Sequence, residues 1–364
     1  MSYIKNIIVC VCMFALVSQP LMAGGGDAHG EEGGELNVKE LILEHLGDAY
    51  EWHITTWKGN HISIPLPVIV KGEESGWHVF SSSHLHHGTE EYNGFYVSQS
   101  EKYKGKIVEK TSTGEEVRPL DISITKNVMS LLMSSTLLVI IILSVARWYK
   151  KRAARNEMEA PKGFVGFMEM FIMNVNDDII RPCVGKDYKK FAPYLLTAFF
   201  FIFLNNILGL IPIFPGGANL TGNIAVTLIL ALFTFVIVNI SGTREYWREI
   251  FWPDVPTWLK VPVPIMPAIE LVGVFTKPFA LMIRLFANIL AGHSIVLGLT
   301  CLIFVTVSLG TAINTSMTVV SVVLSVFINM VEVLVAYIQA YVFTMLSAVF
   351  IGLARVEPHH SKEH

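Results

Sequence analysis

The segment KPFALMIRLFANILAGH, residues 277–293, decides the fold, because it is apolar almost throughout and yet carries an arginine near its middle. Arg284 stays protonated under any condition that a protein meets. An arginine at the centre of a membrane costs about 2.5–3.5 kcal/mol on insertion scales. Asn288 follows one helical turn later, and His293 ends the segment. This pattern indicates a membrane protein that uses a charge which cannot be titrated.

The composition of the whole chain is that of a polytopic membrane protein. Of its 364 residues, 52% are hydrophobic and 16% are charged, whereas an average soluble domain has about 25% charged residues. Several runs of about 18 or more apolar residues predict membrane-spanning helices. The net charge of −3 is spread along the chain and argues against nucleic acid as a partner. The sequence has no Gly-rich phosphate loop and no Ser/His/Asp arrangement, and its four cysteines indicate no disulfide framework.

The N-terminal third predicts an exported segment. Residues 1–23 combine Lys5, an apolar centre and Ala23, which is typical of a secretory signal peptide, although an uncleaved anchor helix is the alternative. Residues 24–126 predict a small domain with a short helix over 37–52 and a few strands, since HISIPL and GFYVSQ alternate between apolar and polar residues.

Eight of the 12 histidines lie in this N-terminal domain. His84, His86 and His87 invite interpretation as a metal site. However, no cysteine or carboxylate stands at ligand spacing, so a solvated polar loop is the simpler interpretation, and we expect neither a metal nor a cofactor.

Residues 127–356 predict an all-α polytopic membrane protein with about five membrane-embedded helices and one amphipathic surface helix. The spans are expected at residues 127–148, 193–212, 221–240, 264–308 and 317–354, and the surface helix at 163–181. Basic residues follow the first span directly: Arg147, Lys150, Lys151, Arg152 and Arg155. By the positive-inside rule that end is cytoplasmic, so the domain before it is exported and the tail 357–364 is cytoplasmic. Asn205 and Asn206 are expected to be packing contacts between helices.

The last two segments are longer than a membrane is thick. Residues 264–308 would form a helix of roughly 65 Å, about twice the ~30 Å hydrocarbon core. Either this segment makes two spans hinged near His293, or it is one steeply tilted helix.

The ionisable residues of these two segments are few: Glu270, Lys277, Arg284, His293 and Glu332. Glu270 and Arg284 are about 40° apart round a helix, so they share a face, roughly 21 Å apart. Glu332 and Gln339 share a stripe of the last segment. Titratable residues inside a membrane usually mark ion paths, and a histidine with a glutamate can pass protons near neutral pH. The alternatives are interhelical hydrogen bonds and, for Lys277, a side chain that reaches the interface. No acid stands three or four residues from Arg284, so its partner is expected elsewhere, either in a distant part of this chain or on another chain.

With these residues, the sequence resembles subunit a of the membrane sector of the proton-translocating F-type ATP synthase. The resemblance rests on RLFANILAGH after Lys277-Pro278, on Glu332 and Gln339, and on NNILGLIP, and it covers roughly residues 125–356. It implies that the last two helices are long, tilted and curved along a ring of c subunits. It also implies a multi-pass protein of a bacterial inner membrane, with a periplasmic N-terminal domain and a cytoplasmic C-terminus.

The resemblance also implies a role for each polar residue. Arg284 is the arginine that faces the c-subunit ring, with Asn288 one turn below it and Gln339 packed nearby. His293 and Glu332 line the half-channel open to the outside, in the reverse order to some members of the family. Glu270 is the acid of the cytoplasmic half-channel.

The implied partners are the c ring, the b-subunit peripheral stalk, the rest of the ATP synthase complex, membrane lipid and protons. The subunit itself would perform no nucleotide chemistry.

Two departures and three alternatives remain. Gly209 stands where some members carry an acid, and the resemblance assigns no role to the exported domain. The alternatives are a sodium-coupled form of the same subunit, a secondary transporter in which Arg284 binds an organic anion, and a scaffold whose exported domain binds metal. No paired repeats support a transporter, and a scaffold leaves Arg284 unexplained.

Overall fold

The computed structural model describes residues 47–57, 60–73, 75–88, 90–100, 102–111, 115–153, 160–211, 216–252 and 265–355. The predicted signal peptide (1–23) and cytoplasmic tail (357–364) lie outside the described residues, as do His29, His45 and the predicted helix over residues 37–46.

The N-terminal part of the described chain is built from short antiparallel strands. They are β1 (Glu51–Trp57), β2 (Asn60–Pro65), β3 (Pro67–Gly72), β4 (Gly76–Ser81), β5 (Phe95–Val97), β6 (Ile107–Lys110), β7 (Glu116–Val117) and β8 (Leu120–Asp121). The strands form three sheets, ordered β1-β2, β4-β3-β8 and β5-β6-β7. A small core fills this domain: Tyr50, Val68, Val70, Phe80, Leu85, Phe95 and Ile107. The expectation of β structure is confirmed.

The predicted helix over 37–52 is wrong at its C-terminal end, where the chain forms a strand. Trp52 lies in β1, opposite Ile64 of β2, and its side chain is only 3% exposed. Pairing in a hairpin that buries a large aromatic side chain outweighs local helix propensity, which is a weak determinant.

The rest of the described chain is helical. The α-helices are α1 (Lys126–Ala153), α2 (Phe164–Asn174), α3 (Arg181–Val184), α4 (Tyr188–Leu210), α5 (Ile224–Ser241), α6 (Arg244–Phe251), α7 (Ile265–Val305) and α8 (Thr311–Ala354). Five helical stretches of the described residues are long and apolar enough to cross a membrane: Lys126–Ala153, Phe164–Leu210, Ile224–Ser241, Met266–Leu309 and Thr311–Ala354. The prediction of an all-α polytopic membrane protein is confirmed.

The predicted surface helix over 163–181 continues into the next helix. A π-helical turn (Val175–Ile180), α3 and a 3-10 turn (Gly185–Asp187) join α2 to α4. Gly185 has a φ of 76°, a backbone conformation that glycine adopts without the steric penalty of a β-carbon. Gly185 therefore ends α3, and the 3-10 turn that starts with it leads into α4.

The long segment around Arg284 is one helix. α7 runs for 41 residues, through Pro278 and past His293, without interruption. Of the two arrangements considered from the sequence, the structure shows the single long helix, which would be about 62 Å long.

The chain divides into two compact units. One holds the β domain with the start of α1, the segment 208–220 and residues 293–330; the other holds residues 134–207, 221–292 and 331–364. In the second unit, Leu281 and Leu285 of α7 share a hydrophobic core with Ala340 and Phe343 of α8. Packing of these apolar stripes fixes which faces of α7 and α8 meet.

Candidate functional site

Arg284 lies on an exposed face of α7, in an open pocket of about 310 Å³. Thr276 and Lys277 of α7 and Leu346 and Phe350 of α8 also line this pocket. Within the described part of the chain, Arg284 makes no hydrogen bond or ion pair. A guanidinium on a membrane helix, beside apolar side chains and without a partner in its own described chain, is available to a charge outside it.

The residues between 277 and 292 run antiparallel to the end of α8. The Nζ atom of Lys277 lies 5.9 Å from the ring centroid of Phe350. Fifteen residues further along α7, a β-carbon built on Gly292 would overlap Oε1 of Glu332. Moving forward on α7 therefore means moving backward on α8. Arg284 and Gln339 both fall between these two contacts.

Glu332 is half-buried on α8, and its carboxylate lies against the backbone of α7. Gly292 provides the space, because any side chain there would displace the carboxylate. Gly292 is eight residues after Arg284 and four after Asn288, so the three lie along one helical stripe. The sequence reasoning missed Gly292, although a small residue in register with Arg284 and Asn288 was the available signal.

Gln339 is 7% exposed and lies one position before Ala340, which belongs to the core that joins α7 to α8. Seven residues separate it from Glu332, so both face the same side of α8. The antiparallel register of α7 and α8 is compatible with the expected proximity of Gln339 to Arg284. Both residues lie between the Lys277–Phe350 contact and the Gly292–Glu332 contact.

Asn206 links α4 to α8, as its expected packing role requires. Its Nδ2 donates to the carbonyl oxygen of Ala336 at 3.3 Å, and its Oδ1 accepts from the Thr221 hydroxyl at 2.7 Å. The Nδ2 of Asn205 donates instead to the Phe201 carbonyl of its own helix at 2.8 Å. The Asn206 amide, bonded through both of its groups, stabilises this helix contact, whereas the buried Oδ1 of Asn205 has no hydrogen-bond partner among the described residues.

His293 belongs to the other unit, where its ring faces the end of α4. A β-carbon built on Gly209 would stand 3.7 Å from Nε2 of His293. The position at which the resemblance led us to look for an acid is therefore next to this histidine. A β-carbon there would be in van der Waals contact with this nitrogen and with the Ala218 carbonyl oxygen, at 3.6 Å.

Glu270 is half-buried near the start of α7, 14 residues before Arg284. The charge of Glu270 affects the pKa of Tyr246 in the short helix α6. Burial raises the pKa of the Tyr246 phenol, and the charge of Glu270 raises it further. Glu270 is therefore within electrostatic range of α6, and about four helical turns separate it from Arg284.

Among the side chains that the structure describes, no three His, Cys, Asp or Glu residues come together as a group that could hold a metal ion. His84 stacks on Tyr92, with ring centroids 4.6 Å apart. His78 lies with Nε2 3.0 Å from the carbonyl oxygen of Ser75.

Comparison with known families divides the chain in two. The ATP synthase A chain family matches residues 130–352, more than half of the chain. A domain of unknown function, DUF8433, matches residues 41–125.

Individual relatives agree with this result. "ATP synthase subunit a 2" of Chlorobaculum tepidum is 44% identical over 258 residues, covering 68% of this chain and 67% of that protein. "ATP synthase subunit a" of Chlorobium phaeobacteroides strain BS1 is 40% identical over 361 residues, covering 96% and 95%. "ATP synthase subunit a" of Anaeromyxobacter sp. strain Fw109-5 is 33% identical over 354 residues, covering 93% and 76%. The chain therefore belongs to the ATP synthase A chain family, the subunit a of the membrane sector of F-type ATP synthase.

Proposed function

We propose that this stator subunit provides two aqueous half-channels, which load protons onto the carboxylates of a c-subunit ring and unload them on the other side of the membrane. The observation that carries the proposal is Arg284, a permanent charge on a membrane helix with no hydrogen bond or ion pair to any described residue. A passing carboxylate on another subunit is the partner that this arrangement lacks.

Arg284 acts as an electrostatic barrier between the half-channels. Its fixed charge favours the ionised form of a carboxylate that passes it. Once the carboxylate has passed Arg284, a proton from the outer half-channel neutralises it. The neutral carboxyl can travel through lipid, whereas a bare carboxylate cannot, because its burial without a partner is prohibitive. The same charge repels protons and so prevents a direct leak.

The outer half-channel uses His293 and Glu332. Support comes from the placement of each group: His293 lies next to Gly209, and Glu332 lies against Gly292, the residue before His293 in the chain. Groups of these two types exchange protons readily near neutral pH.

The inner half-channel uses Glu270. It lies toward the start of α7, and Asn288 of α7 and Gln339 of α8 are the remaining polar groups assigned to the path. Each proton that crosses a potential of 100 mV releases about 2.3 kcal/mol. Many such transfers drive ring rotation, while nucleotide chemistry takes place elsewhere in the complex.

The proposed organisation follows from the charge pattern. Residues 1–23 are a signal peptide, 24–126 a periplasmic domain, 127–356 the membrane domain and 357–364 a cytoplasmic tail. The basic residues at the end of α1 (Lys150, Lys151 and Arg152) mark the cytoplasmic side of a bacterial inner membrane. The direct partners are the c ring and the b-subunit peripheral stalk.

The test uses inverted membrane vesicles from cells that carry Arg284→Ala, with the catalytic sector attached. We expect ATP-driven acidification to be lost, while ATP hydrolysis by the detached catalytic sector stays normal. Arg248→Ala is the matched control, because Arg248 is an exposed arginine of the short helix α6 that pairs with Glu245 at 3.4 Å. This control should pump normally.

Normal acidification by Arg284→Ala vesicles would exclude the proposed barrier and would direct attention to transport of organic anions. Repeating the assay with and without sodium, and following sodium uptake in parallel, distinguishes the coupling ion. Acidification that sodium does not suppress supports protons, and ATP-driven uptake of radioactive sodium that persists with a protonophore supports the sodium-coupled form.

A further inference from the structure

The sheet β4-β3-β8 of the N-terminal domain carries apolar side chains on both faces. Its inner face contributes Val68, Val70 and Phe80 to the core. Its other face, which we call the outer sheet face, carries five apolar side chains: Ile69, Trp77, Val79, Leu120 and Ile122. Four of them are strongly exposed: Trp77 57%, Val79 71%, Leu120 58% and Ile122 56%.

The strand register makes this surface continuous. Val79 lies opposite Ile69, and the backbone N–H of Ile122 donates to the carbonyl of Ile69 at 2.9 Å, so these three form one row. In the next row, Lys71 of the central strand lies between Trp77 and Leu120. An antiparallel sheet that faced water would normally place polar side chains on this face. A contiguous exposed apolar surface usually marks an interaction site.

The sheet is joined to the first membrane helix without a flexible linker. After β8, the backbone N–H of Ile124 still donates to Pro67 at 3.1 Å, and α1 begins at Lys126. The N–H of Lys126 donates to the Ala49 carbonyl at 2.8 Å, and the N–H of Asn127 donates to Oδ1 of Asp48 at 3.0 Å. The domain therefore holds the first turn of α1 in a fixed position.

This attachment keeps the outer sheet face close to the membrane. Ile122 is four residues before Lys126, and four extended residues reach at most about 14 Å. Two apolar side chains at the start of α1 are exposed as well, Val128 by 39% and Leu132 by 52%.

The composition of the face suits the boundary between lipid and water. Trp77 combines a large apolar body with one N–H group, and tryptophan is enriched at membrane interfaces. Nζ of Lys71 lies 5.8 Å from the Trp77 ring centroid. A lysine beside a tryptophan can extend its ammonium group toward lipid phosphates while its stem stays on apolar surface.

We propose that the outer sheet face rests on the lipid headgroup region of the leaflet in which α1 begins, with Trp77, Val79, Leu120 and Ile122 in contact with lipid. The occupant of this surface is the membrane itself. The N-terminal domain thereby fixes the depth at which α1 enters the membrane. This inference is independent of the half-channels and of Arg284.

The test places a photoreactive p-benzoylphenylalanine at Val79 in the full chain, within the assembled complex. The complex is reconstituted into vesicles of radiolabelled phosphatidylethanolamine and phosphatidylglycerol and then illuminated. The matched control carries the same probe at Lys102, an exposed residue of the turn between β5 and β6. We expect several-fold more radiolabel on the chain with the probe at 79 than with the probe at 102.

Three other outcomes would overturn the proposal. A cross-link from position 79 to another polypeptide would identify a protein interface, either with a different subunit or with a second copy. Equal lipid labelling at 79 and 102 would mean that the face has no special contact. An absence of lipid labelling at 79 would leave the face in water. If the variant at Val79 fails to assemble, the probe at Leu120, on the same face, gives the same measurement.

Discussion

The carboxylate of Glu332 lies directly against the backbone of Gly292, so that a β-carbon at this glycine would overlap Oε1. The contact holds the Glu332 carboxylate of α8 at one level along α7, that of Gly292. This glycine is eight residues after Arg284 and directly before His293 in the sequence. A small residue at this point does more than let two helices approach, since it determines where the carboxylate can stand.

If Glu332 belongs to the proposed outer half-channel, Gly292→Ala should slow ion translocation without preventing assembly. The added methyl group pushes the flexible end of the Glu332 side chain away, while the backbone packing of α7 against α8 can remain. We expect ATP-driven acidification of inverted vesicles to fall several-fold at an unchanged amount of the chain in the membrane.

Gly298→Ala is the matched control, because a β-carbon there would meet no described atom within 4 Å. The double variant Gly292→Ala with Glu332→Asp should recover part of the activity, since the shorter side chain withdraws from the methyl group. Full activity of Gly292→Ala would mean that the position of the Glu332 carboxylate is unimportant.

A second prediction concerns Gly209 and His293. His293→Gln should reduce acidification several-fold, because an amide cannot carry a proton in the way that imidazole does. Adding Gly209→Asp to this variant should restore part of the flux, since a carboxyl at position 209 would stand close to the place that the imidazole Nε2 occupies in the unmodified chain.

Gly209→Asn in the same His293→Gln background provides the comparison, because it has nearly the same shape but no titratable proton. If the asparagine rescues as well as the aspartate, space or hydration matters at this position and titration does not.

Much of the membrane domain could be predicted from the sequence, because lipid imposes a simple rule. Backbone groups in a membrane must be paired, so long apolar runs become helices, and an arginine inside one is conspicuous. Arg284, Asn288, Glu332 and Gln339 could all be selected on these grounds. The choice between one helix and two spans near His293 could not be made, since a helix can continue through a proline such as Pro278 when its neighbours satisfy the freed backbone groups.

Contacts between segments were not predictable in the same way. Nothing in the local pattern shows that Gly292 meets Glu332 or that Gly209 faces His293, because both contacts depend on how distant helices pack. Trp52 illustrates the same limit in the β domain. Its neighbours allow a helix, and only the pairing with Ile64 makes the residue part of a strand.

The end of α8 offers a prediction about stability. Nε of Arg355 donates to Oδ2 of Asp187 at 3.0 Å, its Nη2 pairs with the same oxygen, and its Nη1 donates to the Ser241 carbonyl at 3.4 Å. Because the two charged side chains are 31% and 44% exposed, solvent weakens the pair, and Arg355→Met should lower the free energy of unfolding by about 1 kcal/mol.

Thermal unfolding of the purified chain in detergent measures this change. Arg248→Met is the comparison, since its pair with Glu245 is an exposed contact between residues three apart, with side chains 58% and 40% exposed. Such pairs contribute about 0.3–0.5 kcal/mol. Equal melting temperatures for the two variants would show that the Arg355 contacts add nothing beyond a surface ion pair.

The last prediction concerns acid and the sheet β5-β6-β7. The Glu116 carboxylate accepts hydrogen bonds from Ser100 Oγ at 2.7 Å, Ser98 Oγ at 2.9 Å and the Tyr96 hydroxyl at 2.9 Å. These donors, Ser100 first, lower the pKa of Glu116 below its ordinary value. A group whose pKa is lower in the folded state stabilises that state above its unfolded pKa, here about 4.3, and this contribution is lost as the pH falls through the folded pKa.

Hydrogen exchange of residues 95–117 in the full chain, corrected for the intrinsic rate at each pH, follows this contribution. In the unmodified chain, protection should fall as the pH drops below about 4.3. Glu116→Gln should show weaker protection already near neutral pH and a smaller further loss in acid, because the charge that strengthened the three hydrogen bonds is gone. Glu115→Gln removes the same charge from an exposed neighbour and should behave like the unmodified chain. If Glu116→Gln keeps the original acid response, another group controls the stability of this sheet.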